Sequence, residues 1–236
     1  MIDPRFQRNQ ILLGEDYLDK IKDKRILVFG VGGVGGSCVD ALARIGFRHF
    51  ALVDFDEVNL SNINRQVVAK ESSVGKKKVD VMEDHLHELN PQIKVEKIPS
   101  FYLPENALGI EFSSFDYVID CCDTIEAKVD IIMKCKEAGV PLISSMGCGN
   151  RLDPRGLTIT TLEKTSSDPL AKIMRKRMKD LGIENVKVLC SANPPLPKKM
   201  ELEQEGKKRP IGSSPFVPPI AGIMIAYEVS KDLLGF

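Results

Sequence analysis

The sequence predicts an α/β fold, a doubly wound and mostly parallel sheet with a C-terminal extension of strands and helices. Three observations carry the prediction. Five short runs read as strands: RILVFG (25–30), HFALVDF (49–55), KVEKIP (94–99), FDYVIDCC (115–122) and PLISSM (141–146). Helical patterns near 34–45, 75–89 and 125–138 alternate with them, which is the pattern of a parallel sheet covered on both faces. A glycine-rich turn, VFGVGGVGG, joins the first run to the first helical pattern.

After the fifth run, LTITTLEK (157–164) and VKVLCSA (186–192) read as further strands. Between them lies the basic helical stretch DPLAKIMRKRMKDLG, with Ile173, Met174 and Met178 as its expected buried face. The segment NPPLPKKMELEQEGKKRPIGSSP is too polar and too rich in Pro and Lys to pack, so a mobile surface loop is expected there. The closing stretch IAGIMIAYEVSKDLLGF reaches Glu228, Lys231 and Asp232 well short of the roughly 20 residues a membrane helix needs. It predicts a core-packed C-terminal helix. The expected organisation is a nucleotide-binding core over 1–155, continued within the same domain by 156–236, whose basic, partly mobile segment spans about 164–212.

The 236 residues suffice for a full core, and 43% apolar with 28% charged residues is ordinary for a globular domain. Lys plus Arg and Asp plus Glu both total 33, so any site for a polyanion must be local. Six cysteines form no C-x-x-C pair, and the chain opens with no basic-plus-apolar leader. The expectation is a reducing cytoplasm, mostly buried thiols and no membrane partner.

Gly30, Gly32 and Gly35 satisfy G-x-G-x-x-G after a strand and before a helix. In that context the loop lets backbone N–H groups approach phosphate oxygens at a helix N-terminus, although Gly33 and Gly36 could serve packing alone. Asp54, at the end of the second run, is placed to accept from both ribose hydroxyls, with a turn or helix-cap aspartate as its alternative role. The next residues separate a dinucleotide from a triphosphate. DFDEVNLSNINRQ puts Arg65 beyond the ribose acid, and VGKKKVD puts Lys76, Lys77 and Lys78 at the start of a helix, where cations oppose the macrodipole. A solvated lysine face accounts for Lys76 and Lys77 and leaves one lysine over. An arginine and a lysine suit a triphosphate losing its α–β bond, and no G-x-x-x-x-G-K-[ST] is present. VIDCCD ends a strand with Asp120 and Asp123. Asp123, further out, is the better Mg2+ candidate, with a helix N-cap as its alternative role.

Together G-x-G-G-V-G-G, L-V-D-F-D, S-N-I-N-R-Q, V-G-K-K-K and D-C-C-D resemble the ATP-binding set of the superfamily of ubiquitin-activating enzymes and the bacterial ThiF, MoeB and HesA proteins, from Arg5 to about Pro154. The resemblance implies a Rossmann-like core that adenylates a carboxylate and releases pyrophosphate, an enzyme of ligase type. It implies phosphate binding by Gly30, Gly32, Gly33 and Gly35, ribose binding by Asp54, and β- and γ-phosphate binding by Arg65 and Lys78. It further implies Mg2+ on Asp123, with Asp56, Asn62 and Gln66 completing the nucleotide set. Arg8, in RFQRNQILLG, matches an arginine that reaches the neighbouring subunit's site, so a homodimer is implied. Two departures stand out: the C-terminal half lacks the two C-x-x-C pairs of zinc-binding sulfur-carrier activators, and Thr124 stands where many members have Asn.

The C-terminal third, with LEKTSSDPLAKIMRKRMKDLGI, VLCSANPP and RPIGSSPFVPPIAGIMIAYEVSKDLL, resembles one branch, the tRNA threonylcarbamoyladenosine dehydratases. That likeness implies ATP-dependent activation of the threonyl carboxylate as an acyl-adenylate, closed into a ring by the substrate's own carbamoyl group. From Lys164 to Arg209 there are twelve Lys or Arg against six acids, an excess that suits a phosphate backbone. Lys164, Lys172, Arg175, Lys176, Arg177 and Lys179 are the candidate tRNA contacts, against the alternative of a solvated amphipathic helix. A second function stays open, adenylation of the Gly-Gly tail of a sulfur-carrier protein, and a sulfur-relay protein stays open as a partner. A nucleotide-sensing scaffold has little need for Arg65, Lys78 and Asp123 together. Cys190 is the one thiol considered for a thioester, and a plain strand residue is the favoured reading.

Overall fold

The computed structural model describes residues 3–106, 108–200 and 211–236. Seven strands build one sheet: β1 (Arg25–Phe29), β2 (His49–Val53), β3 (Lys94–Ile98), β4 (Tyr117–Asp120), β5 (Leu142–Ser145), β6 (Leu157–Thr161) and β7 (Lys187–Ser191). Their spatial order is β3-β2-β1-β4-β5-β7-β6, and every pairing is parallel except β6 with β7. The chain steps outward from β1 through β2 to β3, then returns to lay β4 on the other side of β1. That reversal opens a crevice beyond the carboxyl ends of β1 and β4. Phe29 pairs with Val53 on one side and with Asp120 on the other, so Gly30, Asp54 and Cys121 leave the sheet at one level.

Period-2 alternation divides β1 between two layers. Ile26 and Val28 face the layer built by α3 (Gly33–Ile45) and α7 (Val217–Leu234), whereas Leu27 and Phe29 face Tyr102, Phe112 and the α5 helix (Ile125–Ala138). Helices α3 and α7 approach closely at Gly222, where a Cβ would come within 2.2 Å of the Val34 carbonyl oxygen. The C-terminal helix is therefore core-packed as expected, and no described helix is long and apolar enough to cross a membrane.

Two short helices, α1 (Gln7–Leu13) and α2 (Tyr17–Ile21), precede β1. The fourth, α4 (Lys78–Leu89), begins three residues later than the pattern suggested. Residues 75–77 spend their backbone groups on 57–58 instead: Gly75 N–H donates to the Val58 carbonyl at 2.8 Å, Val58 N–H to the Lys76 carbonyl at 2.8 Å, and Lys77 bridges Glu57. Helix α6 (Pro169–Asp180) buries Ala171, Met174 and Met178, and Ile173 is 44% exposed. Met174 and Met178 of the expected face are buried and Ile173 is not, because the i, i+3, i+7 stripe starts at Ala171 and Ile173 sits about 100° away from Met174 around the helix.

Of the expected mobile loop, residues 201–210 lie outside the described residues. Its flanks are pinned to one asparagine: Leu196 N–H donates to the Asn150 carbonyl and Asn150 N–H to the Gly212 carbonyl, each at 2.7 Å. Arg151 and Asp168 form a buried ion pair at 3.2 Å, and Asp168 also caps α6 by accepting from Ala171 N–H.

Candidate active site

Gly30 follows β1 with φ +89°, and its N–H donates to the Val53 carbonyl at 2.8 Å. A Cβ there would lie 2.8 Å from the Cys121 carbonyl oxygen, so both the conformation and the approach of β4 require glycine. Helix α3 starts three residues later with Gly32 at its N-cap and no side chain bonded to its first N–H groups. An uncapped helix start at the carboxyl edge of a parallel sheet is a ready anion site.

Asp54 fixes this loop to β2. One carboxylate oxygen accepts from Val31 N–H at 2.6 Å and the other from Asp56 N–H at 2.9 Å, each keeping a lone pair for a further donor. Burial pushes its pKa up, and the charge of Lys78 opposes that. Lys78, the first residue of α4, is only 5% exposed, and its ammonium donates to Asp56 at 2.6 Å. Lys76 is exposed and Lys77 pairs with Glu57 at 3.0 Å, so of the three lysines only Lys78 belongs to the crevice.

Arg65 follows a short turn, Leu60–Asn62, whose capping box engages the Asn62 side chain with Asn59 N–H at 3.0 Å. Its guanidinium donates to the Ser61 carbonyl at 3.0 Å and to Asn64 Oδ1 at 2.8 Å, and it pairs with no carboxylate among the described residues. Burial lowers its pKa. Gln66 is buried, yet its Oε1 finds no partner among the described residues. Asp123 is exposed and lines the same cavity, and the residue at the N-cap of α5 is Thr124.

These groups surround one cavity of about 300 Å3, lined by Gly30, Gly32, Asp54, Asp56, Asn62, Arg65, Gln66, Lys78 and Asp123. Gly33 and Gly35 lie behind it as packing residues of α3, where a Cβ on Gly35 would stand 1.8 Å from the Gly30 carbonyl oxygen. Arg8, on α1, is exposed and is not among the cavity's lining residues. Of the basic set, Lys164, Lys172, Lys176, Arg177 and Lys179 are exposed, whereas Arg175 turns inward to donate to the Thr165 carbonyl at 2.8 Å. Cys190 is buried on β7, and burial pushes its pKa up. A buried thiol of that kind is a poor nucleophile.

Sequence reasoning missed several wall residues. Phe55 and Phe101 are exposed and meet edge to face at 4.7 Å between centroids, beside Ser100 and Tyr102. Their signal was positional: Phe55 follows β2 and Ser100 and Phe101 follow β3, where doubly wound sheets place ligands.

The donor set fits a nucleoside triphosphate. It offers an uncapped helix start, a guanidinium without a carboxylate partner, a buried ammonium and an orphaned amide oxygen around one crevice. It also fits a metal carried in on phosphates: among the described residues no three carboxylates, histidines or cysteines cluster into a protein cage, and Asp123 offers one free carboxylate.

Fold and crevice thus define a doubly wound protein with Arg65 and Lys78 in a cavity beside its glycine loop. The ThiF family model matches residues 6–236, and the chain belongs to that family. It is 37% identical to the tRNA threonylcarbamoyladenosine dehydratase of Bacillus subtilis over 240 residues, 98% of this chain and 94% of that protein. The crystal structure of Escherichia coli tRNA N6-threonylcarbamoyladenosine dehydratase in complex with AMP superposes with a TM-score of 0.88 at 30% identity, covering 98% of this chain and 94% of that one. Similarity to the Escherichia coli molybdopterin-synthase adenylyltransferase is 34% identity over 142 residues, 59% of this chain and 57% of that protein.

Proposed function

We propose that this protein is an ATP-dependent tRNA-modifying enzyme that cyclises N6-threonylcarbamoyladenosine with net loss of water through an acyl-adenylate. The observation that carries the reading is the crevice: Arg65, Lys78 and Asp123 line one cavity beside a loop clamped by Asp54. Likeness to the dehydratases along nearly the whole chain supports the substrate, whereas likeness to the carrier-protein adenylyltransferase covers only 59% of it.

In this reading the α3 N-terminus and Gly32 hold phosphate oxygens, Asp54 holds the ribose, and Gln66 Oε1 accepts from the nucleotide. Arg65 and Lys78 face the β- and γ-phosphates, Lys78 leaving Asp56 to do so. Asp123 would be the residue to hold a Mg2+ ion, which when bound would supply positive charge to offset that of the triphosphate. The threonyl carboxylate attacks the α-phosphorus, the α–β bond breaks, and pyrophosphate leaves. Attack by the carbamoyl group on the mixed anhydride closes the ring and expels AMP, which carries away the carboxylate oxygen. The exposed cations of α6 and Lys164 contact the tRNA backbone, a weak and salt-dependent attraction at each residue. Pyrophosphate exchange into ATP is expected to require threonylcarbamoylated tRNA. Exchange driven by a Gly-Gly-tailed carrier protein and indifferent to tRNA would overturn this reading in favour of the adenylyltransferase one.

The active unit in this proposal is a homodimer in which Arg8 serves the partner's crevice. Two exposed apolar patches support it: Ile11 and Leu12 on α1, 82% and 84% exposed, and Ile220, Ile223 and Tyr227 on α7. Mixing inactive Arg8→Ala with inactive Arg65→Ala protein is expected to restore roughly a quarter of wild-type activity, because half the reassorted dimers carry one intact site. No recovery on mixing would place Arg8 outside the partner's site. The further proposal is a cytoplasmic location, which the reduced state of all six cysteines suits.

A further inference from the structure

Lys128, on α5, is fully buried and lines no part of the nucleotide crevice. Its ammonium donates to Asp120 Oδ2 at 2.9 Å and to the Ser145 carbonyl at 2.8 Å, with the Ser144 hydroxyl at 3.4 Å. That hydroxyl donates to the same Asp120 oxygen at 2.5 Å. The other oxygen, Oδ1, accepts from Cys122 N–H at 3.1 Å and from the Cys122 thiol at 2.9 Å. Burial alone pulls the pKa of Lys128 down, but the adjoining carboxylate outweighs it and holds the group above its ordinary value, charged.

A buried ion pair is a poor source of stability, because desolvation offsets most of the attraction and an apolar pair of equal volume serves as well. Its place suggests another use. Asp120 ends β4, and its Oδ1 shapes the turn that presents Asp123 to the crevice three residues later. Ser144 and Ser145 end β5 and open the loop to Asn150, where both flanks of the polar loop are pinned. Lys128 reaches both strand ends from the helix, adding to the Ser144–Asp120 bond that joins them directly.

We propose that Lys128 is a positioning residue of the adenylation centre: through Asp120 and the Ser145 carbonyl it fixes the spacing between the Asp123 turn on the metal side and the β5 loop on the substrate side. This inference rests on the function proposed above, and its test separates the two. Lys128→Met alone leaves a buried unpaired carboxylate and should melt early. The informative variants are the neutral pair Asp120→Asn with Lys128→Met, and Ser144→Ala, which keeps the ion pair and removes one brace.

Two readouts apply to each. In the nucleotide-free protein, the Cys122 amide should exchange with solvent at least about tenfold faster while β1 and β2 amides stay protected. In the enzyme supplied with tRNA, the rate of AMP release should fall about 10- to 100-fold at saturating ATP, as for other residues that orient a ligand. Both readouts within threefold of wild type overturn the proposal, and so does faster exchange with unchanged AMP release, which would make the network structural only. If the double variant does not fold, Ser144→Ala decides by the same criteria. A wild-type protein that releases no AMP with tRNA sinks the proposed function, while the exchange readout still tests the brace.

Discussion

Replacing Arg65 by alanine is expected to slow adenylate formation about 10^2- to 10^3-fold, roughly 3–4 kcal/mol of transition-state stabilisation, while ATP binding weakens far less. The guanidinium is held out toward the crevice by the Ser61 carbonyl and Asn64 Oδ1, and no described carboxylate neutralises it. Such a cation is preorganised: its orientation cost is met in folding, and its charge is available where negative charge accumulates as pyrophosphate departs. Because it makes no ion pair, its removal strands no buried partner, so the variant should melt within about 1 kcal/mol of wild type. Lys78→Ala is a less clean experiment, since it leaves Asp56 without its 2.6 Å partner beside Asp54. Single-turnover AMP release at saturating ATP measures the effect. A drop confined to ATP affinity, with the saturated rate intact, would mean that Arg65 binds the ground state only.

The glycine loop separates folding from binding at positions three residues apart. A Cβ at Gly35 would stand 1.8 Å from the Gly30 carbonyl oxygen, and Gly30 cannot retreat because its own Cα faces the Cys121 carbonyl. Gly35→Ala is therefore expected to lose about 3 kcal/mol or more, out of the roughly 5–15 kcal/mol a domain typically holds. At Gly32 the backbone is extended, with φ −87° and ψ −150°, and the nearest atom to a built Cβ is Gln66 Nε2 at 3.8 Å. Gly32→Val should fold normally and lose about 10- to 100-fold in ATP affinity, the worth of one displaced charge-assisted phosphate contact. Thermal melts with and without ATP distinguish them. Equal destabilisation of both variants, or ATP protection of Gly32→Val equal to wild type, would contradict this division of labour.

All seven strands were legible as short runs between breakers, mostly apolar in the interior strands and alternating with Lys, Glu or Thr in β3 and β6, and the glycine loop and Asp54 were legible because their chemistry is local. The order of strands was not, since pairing β7 with β5 and reversing β6 is decided through space and leaves no mark in either segment. Lys78 could be singled out only as the lysine left over once Lys76 and Lys77 were taken as solvated. The structure supplies the reason: residues 75–77 are tied to 57–58, and the helix begins at the residue that enters the crevice. Arg175 looked like its neighbours on a basic helix, yet its rotation aims it at Thr165. Lys128 was invisible for the opposite reason, a lysine on an amphipathic helix that sequence logic assigns to solvent and the fold buries against Asp120. Phe55 lay inside a motif already noted for its acids, and its aromatic partner Phe101 comes from another strand end, so the pair could not be read from either.

The most direct test of the whole account is the mass of the modified nucleoside after tRNA bearing N6-threonylcarbamoyladenosine is incubated with the protein, ATP and Mg2+, digested and analysed. The account predicts a nucleoside lighter by one water, formed with one AMP per ring closed and absent when ATP is withheld. An unchanged nucleoside under conditions where ATP is bound would contradict it.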